Sequence, residues 1–276
     1  MVPVSTTIAC VITLLVSLVL PVVMLIVYTA KNKKSGIVSA WFIGAAGFFV
    51  TQIVIRVPIL TVLQSQSWFL SFGSNHLFLY AFSLAFTAGL FELAGRYAAA
   101  KLMSKNLTFQ RSLAAGLGHG GIEAMILIGT TYINNLVYIL LINSGAFDTI
   151  LAQTAAMGVD VSQLELIREQ LLALSPAVFL LAGFERILTM IAHAAMSMLV
   201  CYGVAHKRTG NCVLICLVMH TFIDFTAVIS QMTSLSQTAV YVIIYTILTA
   251  VAVVSVLIIR DIRRRWQSEP QKEVSL

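Results

Sequence analysis

Residues 176–205 read PAVFLLAGFERILTMIAHAAMSMLVCYGVA, an apolar run that nevertheless carries Glu185, Arg186 and His193. A membrane-spanning helix needs about 20 mostly apolar residues, and this run exceeds that length. Ionisable side chains in such a helix are costly, usually face the interior of a helix bundle and mark a functional site. The run therefore predicts a membrane helix that contributes to a buried polar site.

The composition extends this interpretation to the whole chain of 276 residues. Hydrophobic residues make up 59% and charged residues 10%, and the mean hydropathy is +0.94. These values exclude a water-soluble globular protein and indicate an integral membrane protein. The other apolar runs long enough to span a bilayer are 6–29, 37–55, 76–100, 113–141, 212–231 and 238–259.

The predicted fold class is therefore all-α, a polytopic bundle of about seven transmembrane helices. We expect a single integral membrane domain over 1–266, with a motif-bearing core at about 76–231 and a short polar cytoplasmic tail over 267–276. Two connecting segments, 56–75 and 145–175, contain enough apolar residues to predict interfacial helices.

The distribution of basic residues predicts the orientation. Lysine and arginine collect on the cytoplasmic side of membrane proteins, and here they occur at alternate ends of the predicted helices. This predicts the N-terminus outside and the C-terminus inside. The expected location is a cell membrane, the plasma membrane of a bacterium. The residues on the predicted inner side are Lys31, Lys33, Lys34, Lys101, Lys105, Arg111, Lys207, Arg208, Arg260, Arg263, Arg264 and Arg265.

The net charge of +6 does not indicate a nucleic-acid partner, because the basic residues are spread over several short loops. Topology and anionic lipid headgroups account for them, so membrane lipids are the expected partners. The segment RDIRRRW at 260–266 suits either specific lipid binding or a plain membrane anchor ending in the interfacial Trp266. The sequence favours the anchor.

Three pairs of polar residues within the apolar runs are spaced four residues apart, which places each pair on one helix face. Counting 1.5 Å per residue from the basic ends puts Glu92, His119, His193 and His220 at about 12–20 Å from the inner surface. Groups from four helices at one depth predict a single buried site. The pairs are Glu92 with Arg96, His119 with Glu123, and His220 with Asp224.

Four phrases around these residues resemble the YhfC-type membrane peptidases, which are related to the CPBP (CaaX protease and bacteriocin-processing) intramembrane protease superfamily. They are FELAGRY at 91–97, GLGHGGIEA at 116–124, FERILTMIAH at 184–193 and HTFID at 220–224. The resemblance implies a glutamate-dependent intramembrane peptidase whose motif residues are Glu92, Arg96, His119, His220 and Asp224. The superfamily usually has two adjacent glutamates, whereas Phe91 and Leu93 flank Glu92 here, and Glu123 is the candidate for the second carboxylate.

Peptide hydrolysis needs a base for water and a donor for the developing oxyanion. We predict that Glu92 is the base and that Arg96 pairs with it. His119 would help to orient the water or to stabilise the oxyanion, His220 would be an oxyanion donor, and Asp224 would orient its neighbours. This chemistry would act in the inner half of the bilayer on a peptide or membrane-protein substrate. The predicted supporting residues are Glu123, Glu185, Arg186 and His193.

Three alternatives remain open from the sequence. The predicted site needs no cofactor, but His119, His193 and His220 could instead bind zinc, which takes three protein ligands and a water in catalytic sites. Buried acidic and histidine side chains also suit a proton-coupled or cation-coupled transporter. A catalytically inactive binding or immunity protein would retain the same residues without using them.

Overall fold

The computed structural model describes residues 1–33 and 35–268, and every regular element in these residues is helical. Seven long helices are apolar enough to span a membrane, which confirms the all-α, seven-helix prediction and a multi-pass membrane protein. The helices in chain order are α1 (Val4–Lys31), α2 (Ile37–Gln64), α3 (Ser67–Asn75), α4 (Leu77–Leu102), α5 (Phe109–Ser144), α6 (Ala146–Ala156), α7 (Ser162–Ala173), α8 (Pro176–Ala205), α9 (Thr209–Met232) and α10 (Gln237–Ser268).

Among the first three spans, the predicted and observed boundaries differ most at the end of α2. The sequence predicts an end at 55, but the helix continues to Gln64. A π-helical segment, Phe49–Arg56, precedes the last part of α2, and Pro58 lies in the first turn after it. A proline inside a continuous helix removes one main-chain hydrogen bond and crowds the preceding turn, and here the local change of helical geometry lies directly before Pro58.

Both predicted connecting segments contain helices. The 56–75 segment holds the end of α2 and the short α3, and the 145–175 segment holds α6 and α7. Lys34 and residues 269–276 of the predicted tail lie outside the described residues, whereas Gln267 and Ser268 belong to α10. The orientation of the termini and the single membrane domain stay predictions.

The described chain groups into two compact units. The first comprises Met1–Pro21 and Ala124–Ile187. Its apolar cluster joins Cys10 of α1, Ile139 of α5, Leu171 of α7 and Phe179 of α8. Side chains of this unit also bond to main-chain atoms, as where the Thr13 hydroxyl donates to the Phe179 carbonyl oxygen at 2.6 Å.

The second unit comprises Val22–Glu123 and the residues from Leu188 onwards. The C-terminal part of α8 runs through its core, where Met196 and Val200 are fully buried against Ala40, Leu93 and residues of neighbouring helices. This part of α8 carries many small side chains, which allow helices to approach closely in membrane proteins. The close packing brings polar residues of several helices within reach of one another.

Candidate functional site

The second unit contains seven of the nine predicted site residues. Helix α4 supplies Glu92 and Arg96, the first part of α5 supplies His119 and Glu123, the second part of α8 supplies His193, and α9 supplies His220 and Asp224. Six of these residues are buried, and Asp224 is half-buried.

Glycines in α5 allow the helices of the site to approach one another. A Cβ atom added at Gly118 would collide with the main chain of Trp41 in α2. One added at Gly120 would lie 2.9 Å from the Cβ of His193, closer than real Cβ contacts allow. These two positions flank His119, so the missing side chains let α2 and α8 pack against the helix that carries it.

Glu92 is the centre of the polar cluster. Its Oε2 atom lies 3.0 Å from Arg96 Nη2 and 3.1 Å from His119 Nε2. The same oxygen lies 3.5 Å from His220 Nδ1 and 3.6 Å from His193 Nδ1. One carboxylate oxygen thus faces a guanidinium and one ring nitrogen from each of three histidines.

Carboxylates at the edge of the cluster hold the far nitrogens of two of these rings. His193 Nε2 lies 2.8 Å from Glu123 Oε2, and His220 Nε2 lies 3.2 Å from Asp224 Oδ2. A carboxylate on one ring nitrogen fixes the orientation of the ring and directs the other nitrogen inward. The His220 Nδ1 atom is buried and makes no hydrogen bond in the described part of the chain.

Arg96 determines which ring nitrogen of a neutral His193 carries the hydrogen. Arg96 Nη2 lies 2.6 Å from His193 Nδ1. A guanidinium has only donors, so Nδ1 must be the acceptor and the ring hydrogen of a neutral His193 is on Nε2. That nitrogen is the one that lies 2.8 Å from Glu123 Oε2.

Gln52 is a member of the site that the sequence analysis missed. It is 5% exposed and lies in the π-helical segment of α2. Its side-chain amide donates to Glu92 Oε1 at 3.0 Å and to the Ala88 carbonyl oxygen at 3.1 Å. Arg56, four residues later, donates to Gln52 Oε1 at 3.3 Å and to the Leu84 carbonyl oxygen at 2.7 Å. The signal in the sequence is a glutamine and an arginine four residues apart within an apolar run.

Glu185 and Arg186, the remaining predicted supporting residues, belong to the first compact unit. They form an ion pair with each other. Their supporting role in the site stays a prediction.

The cluster holds more carboxylates than guanidiniums. Three carboxylates, those of Glu92, Glu123 and Asp224, are linked to two guanidiniums, those of Arg96 and Arg56, through direct contacts and through Gln52. With neutral imidazoles, the carboxylates outnumber the guanidiniums. An uncompensated buried charge is costly, and either a protonated histidine or a bound cation would offset this one.

The donor atoms of Glu92, His119 and His193 also suit a metal ion, because they all lie within 4.8 Å of one another. Two ligands about 2.0–2.1 Å from a tetrahedral zinc ion are about 3.3 Å apart. The Glu92 Oε2 atom lies 3.1 Å from His119 Nε2 and 3.6 Å from His193 Nδ1, close to that spacing. This group contains two of the three predicted zinc ligands and replaces His220 with Glu92.

Known proteins resemble this chain along most of its length. A family model described as YhfC intramembrane metalloprotease matches residues 16–266. A relative from Bacillus subtilis (strain 168), described as uncharacterized membrane protein YhfC, is 31% identical over 225 residues, which cover 81% of this chain and 85% of the relative. No solved structure matches the chain. The four motif phrases, the seven spans and the match from 16 to 266 agree, and the chain belongs to the YhfC intramembrane metalloprotease family.

Proposed function

We propose that the chain hydrolyses peptide bonds within the membrane and that its reaction centre is the cluster around Glu92. The observation that carries this proposal is the position of Glu92 Oε2, which faces Arg96 and one ring nitrogen from each of three histidines. The description of the family as metalloproteases supports hydrolysis over transport.

Glu92, His119 and His193 are the residues that would hold a metal ion, and zinc suits this donor set. When bound, such an ion polarises a carbonyl group and makes water acidic enough to attack it at neutral pH. Glu123 would keep the His193 ring in its orientation through Nε2. Arg96 must give up its hydrogen bond to His193 Nδ1 for that nitrogen to become a ligand.

The other residues of the cluster would prepare it for the reaction. Gln52 fixes Glu92 Oε1, and Arg96 offsets the charge on Oε2. His220 in its protonated form would donate from Nε2 to Asp224 and from Nδ1 to the substrate carbonyl oxygen as negative charge develops there. This is the oxyanion role predicted for His220 from the sequence.

This proposal changes the role of Glu92, which the sequence analysis predicts to be the base. As a metal ligand, Glu92 leaves the water proton to a carboxylate at the edge of the cluster. Glu123 and Asp224 are the two that contact the histidines there. Asp224 has the more exposed side chain, at 33%, and is therefore the more accessible to water.

The depth of the site indicates a substrate that enters the membrane. Glu92 lies ten residues before the end of α4 at Leu102, and His119 lies ten residues after the start of α5 at Phe109. At 1.5 Å per residue, both are about 15 Å from these helix ends. We propose that this is the inner half of the plasma membrane and that the substrate is a membrane-inserted peptide or protein.

The test is cleavage of a membrane-proteome or peptide library by the purified protein in lipid, combined with measurement of zinc content. We expect a chelator to abolish cleavage and added zinc to restore it. His119→Ala should lose both zinc and cleavage. His76→Ala, which removes an exposed histidine at the start of α4, is the matched control and should keep both.

The possible results separate the mechanisms. Cleavage that survives chelation but is lost in Glu92→Gln would return Glu92 to its predicted role as the base of a metal-free reaction. No cleavage by folded, zinc-loaded protein across the library would overturn the peptidase proposal, leaving transport or binding as the function to test.

A further inference from the structure

A cavity of about 830 Å³ lies at the helix ends of the second unit, away from the Glu92 cluster. Its walls come from the end of α1, the start of α5 and the end of α10. The lining includes Tyr28, Asn32, Gln110, Arg260, Arg263 and Trp266. Arg260, Arg263 and Trp266 belong to the segment 260–266, for which the sequence suits either specific lipid binding or a plain anchor.

The cavity lining is positive. Its charged side chains are Arg260 and Arg263, and in residues 1–33 and 35–268 neither forms an ion pair with a carboxylate. The nearest acidic residue along α10, Asp261, pairs with Arg265 at 2.7 Å. Arg263 instead lies over the Phe109 ring, 5.9 Å from its centroid. Both guanidiniums therefore keep donors for an external anion.

Other polar residues line the same cavity as the two arginines. Tyr28, Asn32 and Gln110 each place a polar side chain in the wall of the cavity. The indole nitrogen of Trp266 is buried and has no hydrogen-bond partner in the described residues. A phosphate group accepts several such bonds at once, and arginine matches its geometry with two parallel donors.

The cavity is also amphipathic along the helix axes. Leu113 lies one turn deeper in α5 than Phe109, and Ile259 precedes Arg260 in α10. Apolar walls below and cationic walls above are what the glycerol region and headgroup of a phospholipid require. Basic pockets between transmembrane helices bind anionic headgroups in this way, and tryptophan is enriched at the same level.

We propose that this cavity binds the phosphate of an anionic phospholipid headgroup, with Arg260 and Arg263 as its charge partners. This proposal does not depend on peptidase activity. It favours specific lipid binding over the plain anchor for residues 260–266, because the segment completes a cavity instead of only ending a helix.

The test is the affinity of the purified full-length protein, in neutral detergent, for short-chain phosphatidylglycerol, short-chain phosphatidylcholine and inorganic phosphate. We expect phosphatidylglycerol to bind at least about tenfold more tightly than the other two, because each basic residue near a headgroup contributes measurably to binding. Arg260→Gln with Arg263→Gln should weaken its binding by about tenfold or more.

The matched control changes the same number of charges at the same end of the molecule. Lys105→Gln with Arg264→Gln removes two cations outside the cavity lining and should alter the affinity by less than about twofold. Gln110→Glu is a second test that leaves both arginines in place. Its new carboxylate in the cavity wall should weaken phosphatidylglycerol binding severalfold.

Three results would overturn the proposal. Equal affinities for the anionic and zwitterionic lipids would exclude headgroup recognition. Inorganic phosphate binding as tightly as phosphatidylglycerol would assign the cavity to a soluble phosphate compound instead of a lipid. An equal loss of binding in the control variant would show that the basic surface attracts lipid without a defined site.

Discussion

The two compact units use buried polar side chains in different ways. In the first unit, two buried hydroxyls bond to main-chain atoms: Thr13 donates to the Phe179 carbonyl oxygen, and Ser17 donates to the Thr13 carbonyl oxygen at 2.9 Å. In the second unit, the side chains around Glu92 contact one another, and His220 Nδ1 is left without a hydrogen bond. The first arrangement satisfies the polar groups of helices in an apolar environment, whereas the second keeps donor atoms available.

The hydroxyls of the first unit therefore contribute to stability, whereas the cluster of the second unit is expected to serve function. A buried hydroxyl that donates to a main-chain carbonyl oxygen avoids the free-energy cost of an unpaired polar group, and it needs no ligand. Burying a carboxylate such as Glu92 inside a membrane protein costs free energy. Ionisable residues in that position usually mark a functional site. Variants of the two units should therefore change different measurable quantities.

The largest expected effect is that of Glu92→Gln. Removing the charge at the centre of the cluster should lower the cleavage rate by roughly a thousandfold or more, as for central residues of other catalytic groups. Asp148→Asn, which neutralises an exposed carboxylate of the first unit paired with Arg168, is the matched control. Its cleavage rate should equal that of wild type, and a comparable loss there would remove the distinction between the units.

Glu123→Gln should have the next largest effect, on metal affinity. Glu123 contacts His193 Nε2 at 2.8 Å, and loss of such a partner typically weakens metal binding by about 10–100-fold. Competition with a chromogenic chelator measures zinc affinity without requiring activity. Glu185→Gln is the control in the first unit, and weakening of zinc binding by this variant would support the predicted supporting role of Glu185.

Much of the fold could be predicted because the bilayer demands long apolar helices. All seven spans were found from hydropathy, and the four-residue spacing correctly placed Glu92 with Arg96 and His220 with Asp224 in contact on their helices. Helical periodicity shows which residues share a face, but it does not show which helices meet. The division into two units therefore had no signal in the sequence.

Gln52 shows the same limit within the site. It lies 40 positions from Glu92, in a helix without any recognised motif, and a neutral amide adds little to a search for charged residues. Its position also depends on the π-helical segment Phe49–Arg56, where the helical spacing changes locally. π-Helical turns often occur at functional sites, but no residue pattern predicted this one.

Gln52→Leu should have a smaller effect than the carboxylate variants. It leaves Glu92 Oε1 buried without its donor, which costs about 1–3 kcal/mol, or roughly tenfold in rate. Because Gln52 orients Glu92 from the far side, we expect kcat to fall and KM to stay constant. Gln64→Leu, at the exposed end of the same helix, is the control. Restoration of kcat by Gln52→Asn would indicate that the amide is the required group, whereas a change in KM alone would argue for substrate contact instead.

Thr13→Val should have the smallest effect and should change stability alone. Valine keeps the shape of threonine but removes the 2.6 Å bond to the Phe179 carbonyl oxygen, and such bonds between membrane helices contribute about 0.6–1.7 kcal/mol. The midpoint of thermal unfolding in detergent should fall, whereas cleavage rate and zinc affinity at lower temperature should equal those of wild type. Serine at this position would keep the hydroxyl and should restore the midpoint. If Thr13→Val instead lowers the cleavage rate without lowering the midpoint, the main-chain bonds of the first unit support the reaction as well as the fold.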